Sequence, residues 1–90
     1  MQGIDVFLEL DYGKLYSLDL HGLTLEEARA SLIHELSTID SSYDGILIIH
    51  GYHKGRVLKD HIRNKFTHPL IIKKVHLDAA RTILLLNLKK

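Results

Sequence analysis

The chain predicts an α/β fold: a single small two-layer sandwich, βαβαββ in its core, with an extra N-terminal strand. Three observations carry this. Ile4, Val6, Leu8 and Leu10 alternate with Asp5, Phe7 and Glu9, the period of a half-buried strand. Leu25, Ala28, Leu32, Leu36 and Ile39 recur at helical spacing. Ile46-Leu47-Ile48-Ile49 is apolar at every position, as in a strand covered on both faces. Ninety residues predict one domain over 1–90, with an N-terminal strand and turn over 1–14 and a core over 15–88.

The elements follow in order. Asp11-Tyr12-Gly13 turns the chain after the first strand. Residues 15–20 predict a second strand, with Asp19 and His21 on one face and Leu18 and Leu20 on the other. Thr24 opens a helix, and Glu27 three residues on completes a capping box. Residues 41–45 end it, and 46–49 form the next strand. Residues 56–66 read as a second helix that buries Val57, Leu58, Ile62 and Phe66 and projects Arg56, Lys59, Arg63 and Lys65 elsewhere. Thr67-His68-Pro69 stops it. Residues 70–77 and 82–88 predict an antiparallel hairpin around Asp78-Ala79-Ala80-Arg81. Two right-handed crossovers would lay both helices on one face of the sheet.

Composition narrows the function classes. With no cysteine, the chain has neither disulfides nor a thiolate zinc site. Its apolar runs fall far short of the roughly 20 residues that span a bilayer, and its first residues lack the features of a signal peptide. A soluble, cytoplasmic protein with no membrane partner is expected. The net charge of +1 conceals a division: residues 1–50 carry −7 and residues 51–90 carry +8. The second half is therefore set to attract polyanions, or to pair with the first.

Two His-Gly pairs end apolar runs. The first closes Leu18-Asp19-Leu20-His21-Gly22. The second closes Ile46-Leu47-Ile48-Ile49-His50-Gly51 and leads into Tyr52-His53-Lys54-Gly55. In an open α/β sheet, ligands gather beyond the carboxyl ends of parallel strands, where both imidazoles are expected. Gly51 and Gly55 bracket a loop before a helix N-terminus, whose unpaired N–H groups favour an anion. Lys54 and Arg56 add charge there. The spacing is not that of a Walker loop, which disfavours a triphosphate site.

His21 and His50 have the chemistry for acid–base work on a phosphodiester, since imidazole exists in both protonation states near neutral pH. Asp19, on the same strand face as His21, suits orienting an imidazole, or else capping the turn or the adjacent helix. The alternative for each histidine is a polar plug at a strand end. Lys59 and Arg63, four apart, share a helix face and with Lys73 and Lys74 suit a phosphate backbone, and Tyr52 suits stacking on a base. A solvated face is the competing reading of these charges. His50-x-x-His53 in a loop, without a carboxylate cluster, predicts neither a metal nor another cofactor. His34, His61, His68 and His76 read as surface or boundary histidines.

Leu18-Asp19-Leu20-His21-Gly22, followed by Leu23-Thr24-Leu25-Glu26-Glu27-Ala28, resembles the opening motif of the small MutS-related (Smr) domain family. Ile48-Ile49-His50-Gly51 resembles its second motif, and the strand at 82–88 stands where that family closes its sheet. The resemblance covers residues 15–88. It implies a fold like the C-terminal domain of translation initiation factor three, nucleic-acid binding, and nicking or endonuclease activity on DNA or RNA. The residues carried over are Asp19, His21, Gly22, His50 and Gly51. Two departures stand out: His53 replaces the second glycine of His-Gly-x-Gly, and Asp78-Ala79-Ala80-Arg81 replaces a glycine-rich turn.

The expectation is thus a stand-alone, monomeric domain of this kind. Asp19, His21 and His50 form its catalytic set. Gly22, Gly51, Tyr52, His53, Lys54, Gly55, Arg56, Lys59 and Arg63 form its phosphate-binding set. A non-catalytic nucleic-acid-binding module and a protein-interaction adaptor are the alternatives.

Overall fold

Strand β1 (Asp5–Val6) begins the computed structural model, which describes residues 5–6, 12–51 and 55–88. The rest of the predicted first strand lies outside the described residues. Strand β2 (Leu15–Asp19) pairs antiparallel with β1. Helix α1 (Leu25–Thr38) follows, and strand β3 (Gly45–Ile49) returns parallel to β2, with Asp19 opposite Ile49. Helix α2 (Gly55–Asp60) runs on into a π-helical turn at His61–Lys65. Strands β4 (Ile71–His76) and β5 (Arg81–Leu86) form the predicted antiparallel hairpin. The sheet order is β1-β2-β3-β5-β4, so β5 pairs antiparallel with β3 and separates it from β4.

The capping box at the start of α1 is formed as its sequence predicts. Thr24 Oγ1 accepts from the Glu27 N–H at 3.1 Å, and Glu27 Oε1 accepts from the Thr24 N–H at 3.0 Å. Such caps stabilise a helix by about 1 kcal/mol. The second helix departs from a regular α-helix at its end. Leu58, Ile62 and Phe66 are all buried and four residues apart, and the wider π turn keeps them in line. Its last hydrogen bond runs from the Phe66 N–H to the His61 carbonyl at 2.7 Å. Lys74 reaches across from β4 and donates to the Phe66 carbonyl at 2.5 Å. It thereby satisfies a carbonyl that the helix end leaves open.

Both helices cover the same face. Ala28, Leu32 and Leu36 of the first helix, and Leu58, Ile62 and Phe66 of the second, pack on Leu20, Ile46, Ile48, Leu84 and Leu86. Val57, expected in this core, is 61% exposed. It stands one residue before Leu58, about 100° around the helix from the buried stripe. On the opposite face Leu15, Leu47 and Ile83 form a smaller cluster with Tyr12, Val75, Leu77 and Leu85. At the β4 edge the register slips between Ile71 and Lys73, and Ile72 faces solvent. Among the described residues, no helix is long and apolar enough to cross a membrane.

Candidate functional site

The carboxyl ends of β2 and β3 open onto one rim of the sheet. The backbone turns sharply after β2: the Leu23 N–H donates to the Leu20 carbonyl at 3.2 Å, and Gly22 has φ +84°. That is the left-handed value a type II turn needs at its third position. His21, at the second position, projects outward. The Asp19 carboxylate oxygen Oδ1 accepts from the His21 backbone N–H at 3.0 Å and lies 2.5 Å from ring atom Nδ1. Partial burial of Asp19 would raise its carboxyl, but the hydrogen bonds from the ring and the backbone of His21 and the charge of that ring hold it below the usual value. The imidazole remains 68% exposed.

The second turn is built differently. Gly51 has φ +85°, and a Cβ there would come within 3.2 Å of His21 Cβ, so the two turns adjoin. The N–H groups of His50 and Gly51 both donate to the Ala80 carbonyl, at 2.9 and 3.2 Å. Strand alternation places the His50 side chain with Ile46 and Ile48, toward the helices. It is only 1% exposed, with Nε2 3.0 Å from Thr82 Oγ1. Nδ1 is buried and, among the described residues, has no partner at hydrogen-bonding geometry. Burial pushes the ring below its ordinary value, and Arg63 and Lys59 push the same way. The Gly51 backbone and the Asp78 carboxylate oppose them without overcoming them. The His50 ring is therefore neutral at neutral pH. The expected pair of imidazoles facing one pocket is not what the rim presents: His21 faces solvent and His50 faces the core.

The turn between β4 and β5 completes the rim. Asp78 Oδ1 accepts from the Ala80 N–H at 2.9 Å, and Oδ2 accepts from Arg81 Nε and Nη2 at 2.9 and 2.7 Å. The hydrogen bond from Arg81 is the chief reason the Asp78 carboxyl lies below its usual range. Arg63, expected on a solvent-facing basic stripe with Lys59, instead turns inward. Its Nε donates to Thr82 Oγ1 at 2.7 Å, and its Nη2 donates to the carbonyls of Asp78 and Arg81 at 2.5 and 3.0 Å.

The remaining expected residues divide. Gly55 is the first residue of α2, Arg56 beside it is exposed, and Lys59 is half-buried. Tyr52, His53 and Lys54 lie outside the described residues. Lys73 is exposed, whereas Lys74 is committed to the end of the second helix. No group of three or more His, Asp or Glu side chains among the described residues comes together to hold a metal. Thr82 and Asp78 were missed as site residues from sequence. Their signals were a hydroxyl opening an otherwise apolar strand and an acid three residues before an arginine.

No curated protein and no solved structure matches this chain. The Smr domain family model matches residues 18–82, from the strand ahead of the first His-Gly turn to the Thr82 that holds the second. That span takes in both turns, both helices, β4 and the first two residues of β5. The chain belongs to the Smr domain family, which is associated with nucleic-acid binding and nicking.

Proposed function

We propose that this rim binds the phosphate backbone of DNA or RNA and that His21 cuts beside it. The observation that carries the reading is the exposed His21 ring held on the half-buried Asp19 carboxylate against the Gly51 turn. With Nδ1–H donated to the Asp19 carboxylate, Nε2 is left to face a substrate. Neutral, it accepts a proton from water or from a ribose hydroxyl. Protonated, it returns one to the leaving oxygen. Asp19 orients the ring and stabilises its charged form, as a carboxylate does for a catalytic imidazole. Gly22 and Gly51 keep side chains away from the approaching backbone, while Arg56 and Lys59 supply positive charge. The protein works as a cytoplasmic monomer.

Incubation with supercoiled plasmid and with single-stranded RNA, with and without EDTA, tests this. Nicking that survives EDTA and disappears in folded His21→Ala and Asp19→Asn variants is the expected result. Undiminished nicking in folded His21→Ala refutes the assignment. Binding is tested by its salt dependence. Replacement of Arg56 or Lys59 by alanine lowers the log–log salt slope by about 0.7–0.9 for each lost phosphate contact.

A second reading is a module that binds without cutting. The burial of His50 favours it, because among the described residues it leaves His21 without a second accessible histidine at the rim for concerted acid–base work. Salt-dependent binding without cleavage of either substrate selects it.

A further inference from the structure

We propose that Arg63 and Thr82 are positioning residues that lock His50 in one tautomer and so hold the Gly51 turn in its binding shape. The inference rests on the nucleic-acid reading of the rim and assigns Arg63, Thr82 and His50 a role inside the protein rather than on the phosphate.

The hydrogen bonds fix the direction of the network. Arg63 only donates, and its Nε gives a proton to Thr82 Oγ1 at 2.7 Å. Thr82 is fully buried, so its own hydroxyl proton must find an acceptor inside the protein. Among the described residues, the other side chain hydrogen-bonded to that oxygen is His50, with Nε2 at 3.0 Å. Thr82 therefore donates to Nε2, and the single ring proton of neutral His50 sits on Nδ1. A proton on Nε2 would leave the Thr82 hydroxyl proton without an acceptor among the described residues, whereas a proton on Nδ1 leaves Nε2 free to accept it, with the Gly51 backbone beside the ring.

The same residues clamp the backbone. Arg63 Nη2 holds the carbonyls of Asp78 and Arg81 on either side of Ala80. The Ala80 carbonyl in turn receives the N–H groups of His50 and Gly51. One guanidinium thus ties the hairpin turn to the second His-Gly turn by two routes, through the Thr82 hydroxyl and through Ala80. The charged groups that act on the His50 ring are Arg63 and Lys59 from the second helix and Asp78 from the hairpin turn. Lysine at position 63 lacks the planar fork that reaches three acceptors at once.

Two measurements on the whole protein test this. The first is the nitrogen spectrum of His50 by long-range proton–nitrogen correlation at neutral pH. Wild type and Thr82→Ser are expected to show Nδ1 protonated and Nε2 bare, and Thr82→Val to lose that fixed tautomer. The second is binding of a labelled single-stranded RNA and of a duplex DNA across a salt series. Arg63→Lys and Thr82→Val are expected to bind about three- to tenfold more weakly, with the wild-type salt slope, and Thr82→Ser to bind nearly as wild type does. A salt slope lowered by about 0.7–0.9 in Arg63→Gln, which removes the charge, overturns the inference, because it marks Arg63 as a direct phosphate ligand. An unchanged tautomer and unchanged affinity in folded Thr82→Val overturn it also. Wild-type protein that binds neither nucleic acid removes the proposed function and the binding role of the network together. The His50 spectrum then still reports whether the hydrogen bonds run as assigned. Circular dichroism of each variant separates a lost fold from a lost network.

Discussion

The two His-Gly turns share a dipeptide, a left-handed glycine and a place at the end of a parallel strand, yet they hold their imidazoles in opposite environments. His21 follows one residue beyond the last core leucine of its strand and swings into solvent against Asp19. His50 continues the inward alternation of Ile46 and Ile48 and is covered by the second helix. The difference teaches that a repeated motif need not repeat a role. One imidazole is open to solvent, and the other is packed inside the protein against Thr82.

The sharpest way to break this contrast is to remove each ring. His50→Ala leaves a cavity and strands Thr82 and Arg63, and is expected to cost about 2–4 kcal/mol in urea unfolding. His21→Ala removes an exposed ring and is expected to cost about half a kcal/mol, while abolishing nicking. Equal losses of stability would end the distinction between the packed ring and the open one.

The glycines sharpen it further. Alanine at either position meets the left-handed backbone penalty of about 1–2 kcal/mol. At Gly51 the added methyl also crowds His21 Cβ at 3.2 Å, whereas at Gly22 nothing lies within 4 Å. Gly51→Ala is therefore expected to have the lower unfolding midpoint of the two, and to disturb the His21 ring resonances as well.

The smallest effect is in pH. The unfolded His50 ring takes a proton near pH 6.5, and the folded ring only at lower pH. Between those points the unfolded chain binds more protons, so stability falls as pH drops below 6.5. His61 is shifted the same way, first by burial and then by neighbouring cations, and shares this loss. A His50→Gln variant should show a shallower decline, measured by thermal unfolding from pH 7.5 to 5.5. Asp19 behaves differently, because its carboxyl is depressed from 3.8. Its contribution is present above that value and is lost only as pH falls through the lower folded one. A decline of the same steepness in His50→Gln would mean that His50 is not held neutral by the fold.

Local features were legible in the sequence. Thr24 and Glu27 announce the first helix because both partners of the capping box lie within one turn. The uniform run at 46–49 announces a central strand because both faces of β3 are covered. Asp19 could be placed on the same strand face as His21, but that it reaches the ring follows only from the turn that Gly22 makes after β2. What failed to show was decided by distant contacts. Val57 is apolar yet faces water, because the register of the second helix is set by Leu58, Ile62 and Phe66. Arg63 and Lys74 look like surface charge, but each finds backbone carbonyls supplied by a different element. His50 reads like His21 in the linear pattern, and its burial follows only once the second helix and β5 are in place.

The position of β5 has a consequence for how the chain is made. It is the last strand in sequence but stands between β3 and β4, and it supplies Thr82, Ile83, Leu84 and Leu86 to the interior. During synthesis, the segments through β4 emerge first, with the inner edge of β3 unpaired and the His50 ring lacking its hydroxyl partner. The nascent domain must therefore wait for its final strand to insert between two waiting neighbours. Cooperative folding is deferred until translation has delivered Leu86, and the rim is assembled in that same closing event.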